Sequence, residues 1–290
     1  VNELSGAADN LGNYKSFLEM PSKAICGSEN PDLEKAPEIE FRNVSYRHEG
    51  ADKDTLRSIS FKVKAGEHIA LVGENGAGKT TLIKLLCGLY QPTEGEILIN
   101  NIPVSRYSRE EYFCMFSSVF QDIHLLPVKI SEFVSAVPAD KADSALVDKS
   151  LEMAGLKDKI SSLKDGADTP MMKDVVQNAT EFSGGEKQKL MIARSIYKGG
   201  VTVVLDEPTA ALDPIAESEL YHRYAELTTD KTSFFISHRF ASTRFCDRIL
   251  LLSGGRITES GSHDELIAEN GRYAELYNVQ AQYYKNGDMT

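Results

Sequence analysis

The chain has 290 residues, of which 41% are hydrophobic and 26% are charged, so it can bury a sizeable core. A net charge of −11 argues against a nucleic-acid partner, because proteins that bind nucleic acids usually present a basic face to phosphate. The sequence shows no apolar run long enough to cross a bilayer, and it predicts no signal peptide. The four cysteines lack metal-ligand spacing, which predicts reduced cytosolic thiols.

Residues 1–37 combine polar residues with scattered glycines and prolines. This composition predicts a linker. From residue 38 the pattern becomes regular. Apolar alternation and short apolar runs predict strands over residues 39–46, 59–63, 68–72, 96–99, 201–205 and 233–236.

Helices are predicted between these strands. The pattern indicates helices over 79–87, ended by Gly88, and over 183–197, with a more polar helical stretch at about 128–164. Strands that alternate with helices predict an α/β fold with a mainly parallel sheet.

Residues 73–80 fit the pattern G-x-x-x-x-G-K-[ST], between a predicted strand and a predicted helix. In such a loop, backbone N–H groups and the positive end of the helix converge on phosphate oxygens. The lysine contacts the β- and γ-phosphates and the hydroxyl that follows it ligates Mg²⁺. The predicted ATP-binding residues are Gly73, Glu74, Asn75, Gly76, Ala77, Gly78, Lys79, Thr80 and Thr81.

Two acidic residues, Asp206 and Glu207, follow the buried strand 201–205. The carboxyl end of such a strand is where ligands bind in an open α/β sheet. Asp206 is predicted to hold Mg²⁺ and Glu207 to accept a proton from the attacking water. Taken alone, the pair could instead cap a helix that follows Pro208.

About twenty residues before this pair stands Phe-Ser-Gly-Gly-Glu, residues 182–186, at a helix start. With the phosphate loop and the acidic pair in this order, the sequence resembles the ATP-binding cassette (ABC) family, whose signature is L-S-G-G-Q. The resemblance covers residues 38–280. We call residues 183–186 the signature turn: Ser183, Gly184, Gly185 and Glu186.

The family resemblance implies roles for three further residues. Gln121 lies at the position of the family's Q-loop glutamine, which contacts Mg²⁺ or water. Asp213 lies in a D-loop, which crosses a dimer interface. His238 corresponds to the switch histidine that touches the γ-phosphate.

The resemblance also implies an architecture and partners. The expected fold is a RecA-like P-loop NTPase core with an antiparallel β subdomain and a helical subdomain at about 127–187, followed by a tail at 281–290. Two such domains would arrange head to tail, identical or different, with ATP and Mg²⁺ between the phosphate loop of one and the signature turn of the other. The ends of the sequence, including residues 17–21, 261–266 and 271–280, favour the exporter branch, coupled to a membrane domain at the cytoplasmic face of the membrane.

Three features depart from the family pattern. The position of the adenine-stacking tyrosine is His48, with Tyr46 two residues earlier on the same strand face, so His48 is the first candidate and Tyr46 the second. The signature turn has Glu186 where the family has glutamine, which adds a negative charge near triphosphate. Residues 171–180 lack the acidic-Gly-basic pattern of many exporters.

Other functions remain open at this stage. A nucleic-acid or ribosome-linked ABC ATPase would carry coiled-coil insertions or basic linkers, which are not visible here. An importer domain is a further option. A weakly hydrolysing ATP-binding subunit of a heterodimeric transporter would fit Glu186 and His48.

Overall fold

The computed structural model describes residue 25 and residues 27–207, 228–237 and 240–287, without the side chains of 240–242 and 283–287. Within these ranges the chain forms ten strands and eight α-helices. The strands are β1 (Ile39–Tyr46), β2 (Leu56–Val63), β3 (His68–Gly73), β4 (Glu94–Ile99), β5 (Ile102–Pro103), β6 (Phe116–Val119), β7 (Thr202–Asp206), β8 (Thr232–Ile236), β9 (Arg248–Ser253) and β10 (Arg256–Gly261). The helices are α1 (Lys79–Leu86), α2 (Arg109–Cys114), α3 (Ile130–Ser135), α4 (Ser144–Met153), α5 (Lys157–Ser161), α6 (Gly184–Lys198), α7 (His263–Ala268) and α8 (Arg272–Gly287).

The first sheet is antiparallel and has the strand order β2-β1-β4-β5. Along β1 the side chains of Ile39, Phe41 and Val44 are buried. The spacing from Phe41 to Val44 breaks the period of two because β1 carries a register shift there, next to Asn43 with φ of 50°. Asparagine tolerates this left-handed conformation better than most residues. This sheet is the predicted antiparallel subdomain.

The second sheet has six strands in the order β10-β9-β3-β8-β7-β6. All neighbouring strands pair in parallel except β10, which is antiparallel to β9. Every residue of β7 and β8 is buried, as expected for parallel strands covered on both faces. The carboxyl ends of β3 and β7, on either side of β8, therefore reach the same edge of the sheet.

The core consists of two hydrophobic clusters on opposite faces of the second sheet. Ile69 and Leu71 of β3 belong to the cluster shared with the antiparallel sheet and α1. Ala70 and Val72 belong to the other cluster, shared with the helical subdomain, where α6 packs against α3 and α4. The alternation follows from the period of two along a strand.

The predicted α/β architecture and its main elements are confirmed. The patterns did not predict β9, β10, α7 and α8 as elements. β9 offers only a short apolar run, which periodicity cannot assign to a strand or a helix, and β10 is an edge strand of partly exposed residues.

Part of the predicted linker packs against the domain. Ile25 is 5% exposed and belongs to the core cluster, and the backbone of Glu29 pairs with that of Arg106 and Ser108. The earlier part of 1–37 lies outside the described residues, so the linker assignment remains a prediction. None of the described helices is long and apolar enough to cross a lipid bilayer.

Candidate functional site

The phosphate loop links β3 to α1 through backbone that only glycine adopts easily. Gly73 has φ of 147°, and a Cβ there would lie 2.2 Å from the carbonyl oxygen of Leu252. Gly78 is the N-cap residue of α1 with φ of 104°. Both positions require glycine, because a residue with a side chain would be strained there or would collide with the backbone. The loop therefore holds the N-terminus of α1 open toward a ligand.

Lys79, the first residue of α1, is 5% exposed. Its Nζ donates to the carbonyl oxygens of Gly73 at 2.8 Å and Glu74 at 3.0 Å. Burial lowers the pKa of Lys79, while the charges of Glu207 and Asp206 oppose that shift. An ammonium has three donors, so a third proton can serve a phosphate oxygen while the two carbonyls hold the side chain.

Thr80 and Asp206 meet at the carboxyl edge of the second sheet. Thr80 Oγ1 donates to Asp206 Oδ2 at 2.9 Å. Asp206 is 1% exposed, and its buried Oδ1 accepts no hydrogen bond from the described residues. Burial raises the pKa of Asp206, the Thr80 hydrogen bond opposes the rise, and the charge of Glu207 adds to it. A buried carboxylate oxygen without a donor, beside a hydroxyl, fits Mg²⁺, which prefers oxygen ligands.

Glu207 has φ of 50°, which is unusual for a residue with a side chain. Its N–H donates to the carbonyl oxygen of Ile236 in β8 at 3.1 Å. Its Oε2 accepts from Gln121 Nε2 at 2.8 Å, across the edge of the sheet. The amide oxygen of Gln121 is then left for water or a metal ion, and its contact with Mg²⁺ or water stays a prediction.

These groups open into one cleft of about 790 Å³. Its described lining residues are His48, Thr55, Asn75, Gly76, Ala77, Gly78, Lys79, Thr80, Thr81, Gln121, Glu207 and Gln280. The cleft thus combines most of the phosphate loop with Gln121, Glu207 and the ring of His48.

The two candidates for stacking on adenine, His48 and Tyr46, differ in whether they line the cleft. His48 lines it. Tyr46 does not appear in its lining and stacks on Tyr90 instead, with ring centroids 5.1 Å apart and an angle of 6° between the planes. The ring of His48 stands edge-on to Tyr46 at 4.9 Å. The geometry favours His48 as the residue that stacks on adenine. Tyr46 packs against the ring of His48.

The signature turn lies elsewhere on the surface of the chain. Ser183 is the N-cap residue of α6, and its Oγ accepts from the N–H of Glu186 at 3.3 Å. In return, Glu186 Oε2 accepts from the N–H of Ser183 at 2.7 Å, which completes a capping box. Among the described residues that line the cleft, none belongs to the signature turn. The phosphate-loop cleft and the signature turn therefore lie at separate places on the chain.

Two predicted residues, Asp213 and His238, lie outside the described residues. The sequence reasoning missed two residues that line the cleft, Thr55 and Gln280. It also missed the ion pair at 2.8 Å between Arg272 of α8 and Glu74 of the phosphate loop. No local pattern marks these residues, because they reach the loop only through tertiary packing.

Comparisons with known proteins agree with this geometry. The family model described as ABC transporter matches residues 56–210. The chain is 41% identical over 256 residues to an ATP-dependent lipid A-core flippase of Burkholderia orbicola, covering 88% of this chain and 42% of that protein. It is 39% identical to a beta-(1-->2)glucan export ATP-binding/permease protein of Agrobacterium vitis, covering 85% of this chain and 41% of that protein.

Among solved structures, the chain matches a bacterial Atm1-family ABC exporter with ATP bound. The TM-score is 0.83 and the identity 31%, over 96% of this chain and 47% of that one. The chain thus spans less than half the length of these relatives. The family model covers more than half of the chain, and the phosphate loop and the signature turn both lie inside it. The chain therefore belongs to the ABC transporter family, and it is similar to the nucleotide-binding domains of that family's exporters.

Proposed function

We propose that this chain, an ATPase domain of the ABC transporter family, binds Mg-ATP between two copies or related domains and hydrolyses it to drive export through a membrane domain. The observation that carries the proposal is the convergence of Lys79, Thr80, Asp206, Glu207 and Gln121 at the carboxyl edge of one sheet. The matching relatives are named as flippases and an export protein, which supports export over import. The domain works at the cytoplasmic face of the membrane.

The chemistry follows from the positions of these groups. The loop amides and Lys79 bind the triphosphate, and the N-terminus of α1 adds its positive end. Thr80 and Asp206 would hold Mg²⁺, and Gln121, which is hydrogen-bonded to Glu207, would offer its amide oxygen to the ion or to its water. When bound, the ion offsets negative charge on the phosphates.

Glu207 is the proposed general base. Its carboxylate is held toward Gln121 by the hydrogen bond at 2.8 Å and by the backbone bond to Ile236. A water that donates to Glu207 and accepts or donates at Gln121 is oriented for attack on the γ-phosphate. The proton moves from that water to the Glu207 carboxylate as the new oxygen–phosphorus bond forms. The bond between the γ-phosphorus and the oxygen that bridges it to the β-phosphate breaks at the same time, and ADP leaves with the electron pair of that bond.

The signature turn supplies the other half of the site. Ser183 caps α6, which begins at Gly184, and none of the described residues that line the chain's own cleft belongs to this turn. A second domain that docks head to tail presents its own turn to the ATP held here. Loss of the γ-phosphate removes contacts on both sides, which shifts the pair toward opening by differential binding.

The test is release of phosphate by the purified chain with Mg²⁺ and ATP over a range of protein concentrations. We expect turnover per chain to rise with protein concentration, because two half-sites must meet. Lys79→Ala is the control and should abolish ATP binding in calorimetry. Equal turnover and equal ATP binding in the Lys79→Ala variant would contradict the proposal.

One observation favours a second function, an ATP-binding subunit that hydrolyses weakly. Glu186 places a carboxylate in the signature turn, where negative charge opposes triphosphate. Tight ATP binding with no turnover at any concentration of the wild-type chain would support that function instead.

A further inference from the structure

The two residues that flank the Ser-Gly-Gly core of the signature turn both depart from L-S-G-G-Q, and one lysine contacts both of them. Lys159 lies on α5 (Lys157–Ser161), far from the turn in sequence. Its Nζ is 3.6 Å from Glu186 Oε1 and 5.6 Å from the centroid of the Phe182 ring. The side chains of Lys159 and Glu186 are 32% and 27% exposed. The pair is therefore partly shielded from solvent, so water screens its attraction less than it would at an open surface.

The two carboxylate oxygens of Glu186 have different partners. Oε2 accepts from the N–H of Ser183 at 2.7 Å, and Oε1 faces Lys159. Burial raises the pKa of Glu186, but the hydrogen bonds to Ser183 and the charge of Lys159 outweigh it, so the net shift of the pKa is downward. Glu186 is therefore ionised at neutral pH, and its charge lies in the first turn of α6, next to the N-cap residue Ser183.

An ionised carboxylate at this place has two opposite effects. It completes the capping box and suits the positive end of α6, which stabilises the helix. The same carboxylate lowers the positive electrostatic potential at the start of α6, where a phosphate would bind, and it repels the triphosphate directly. A glutamine would keep the capping box without the repulsion, because its amide oxygen accepts the same N–H.

We propose that Lys159 is a positioning residue that neutralises Glu186, so that the signature turn of this chain can accept the triphosphate bound by a second domain. The inference rests on the proposed function. Lys159 thus compensates for the glutamate. The ammonium over the Phe182 ring fixes the start of the turn from the same side.

Lys159 could instead bind phosphate directly. The two roles differ in how the effect of removing Lys159 depends on the charge of Glu186. If Lys159 acts by neutralising Glu186, its removal is costly only while Glu186 carries a charge. If Lys159 attracts phosphate by itself, its removal is equally costly with glutamine at position 186. A double-mutant cycle separates these two mechanisms.

The experiment measures KM and kcat for ATP in wild type, Lys159→Met, Glu186→Gln and the double variant. Methionine keeps apolar contact with Phe182 while it removes the charge. We expect Lys159→Met to raise KM about 5-fold, Glu186→Gln to lower KM because it removes the charge that repels the triphosphate, and the double variant to match Glu186→Gln. Lys159→Arg should keep KM at the wild-type value, because arginine retains the positive charge.

Lys157→Met is the matched control, since Lys157 lies on the same helix and pairs with Glu152 at 2.5 Å, away from the turn. It should leave KM unchanged, and thermal unfolding of the two lysine variants should be alike. If Lys159→Met fails to fold, Lys159→Gln serves the same cycle. An equal rise of KM in both backgrounds, or none in either, overturns the inference.

Failure of the proposed function has a different signature. In that case the wild-type chain shows no turnover, or its turnover does not change when Ser183 is replaced. The inference alone fails when wild type and Ser183→Ala behave as proposed but the Lys159 cycle shows no dependence on Glu186.

Discussion

The phosphate-loop half of the site and the signature half are built in different ways. The phosphate-loop half joins distant parts of the chain: Thr80 meets Asp206, and Gln121 meets Glu207. The signature half is local, because its capping box joins residues only three apart, Ser183 and Glu186. The first half is a pocket that the fold of one chain completes. The second is an exposed helix terminus outside that pocket. The comparison teaches that tertiary packing builds the first region, whereas a few neighbouring residues build the second.

The largest effect is expected at the base of the phosphate-loop half. Glu207→Gln should leave ATP affinity unchanged and reduce turnover about 10²–10⁴-fold, because the amide keeps the shape of the side chain but cannot accept the proton. Phosphate release and ATP calorimetry on the same preparation measure the two quantities. Similar steady-state rates in variant and wild type would remove Glu207 from its assigned role.

The signature half should affect turnover without affecting binding by a single chain. Ser183→Ala is expected to lower turnover by about 10-fold or more, as for loss of a donor that stabilises developing charge. ATP binding at low protein concentration should stay near wild type, because the cleft contains no residue of the turn among its described lining.

Ser183→Ala also removes the N-cap of α6, so a second serine N-cap is needed as a control for the loss of helix stability. Ser262 caps α7 with the same geometry, accepting from the N–H of Glu265 at 3.3 Å. Ser262→Ala should cost a similar ~1 kcal/mol of stability and leave turnover unchanged. Equal losses of turnover in the two serine variants would show that the comparison between the halves reflects helix stability alone.

In the phosphate-loop half, Asp206 should lower the stability of the nucleotide-free chain while it is needed for Mg²⁺-dependent ATP binding. Asp206 is buried with an unpaired Oδ1, and burial raises its pKa above the ordinary value of 3.8. Its ionised form therefore costs stability above the raised pKa, and the cost disappears as pH falls through that pKa toward 3.8. Asp206→Asn should stabilise the nucleotide-free chain by about 1–2 kcal/mol at neutral pH and lose Mg²⁺-dependent ATP binding.

Thermal unfolding without nucleotide, from neutral to mildly acidic pH, measures this effect. The advantage of Asp206→Asn over wild type should shrink as pH falls. Asp247 is a suitable control, because its Oδ2 already accepts from the N–H of His68 at 2.8 Å. Asp247→Asn should not stabilise the chain, and a gain equal to that of Asp206→Asn would argue against the orphaned oxygen as the cause.

The smallest effect is expected at the adenine end of the cleft. His48→Ala should weaken ATP binding by about 5-fold, the lower end for loss of one stacked ring, and His48→Tyr should restore or improve it. Tyr46→Phe keeps the stack on Tyr90 and should change little. Titration of ATP by calorimetry gives the ranking, and a larger loss at Tyr46→Phe than at His48→Ala would reverse the order of the two candidates.

Much of this domain could be predicted from sequence because its informative residues are local. The phosphate loop, the acidic pair and the signature turn are short segments whose backbone roles require particular residue types, such as Gly73 and Gly78. Buried strands such as β7 were recognisable from their apolar runs. The edge strand β10 was not, since a partly exposed strand leaves a weak pattern. His48 became a candidate only through the resemblance to the family, because a single ring carries no pattern of its own.

The sequence by itself determined the fold class and the chemistry of each half-site, because turn and helix-start residues are set by backbone geometry within a few positions. Only the tertiary structure decided which distant side chains meet. It put Gln121 against Glu207, Arg272 against Glu74 and Lys159 against Glu186. Such pairs depend on how sheets and helices pack, and packing brings together residues that no spacing along the chain relates.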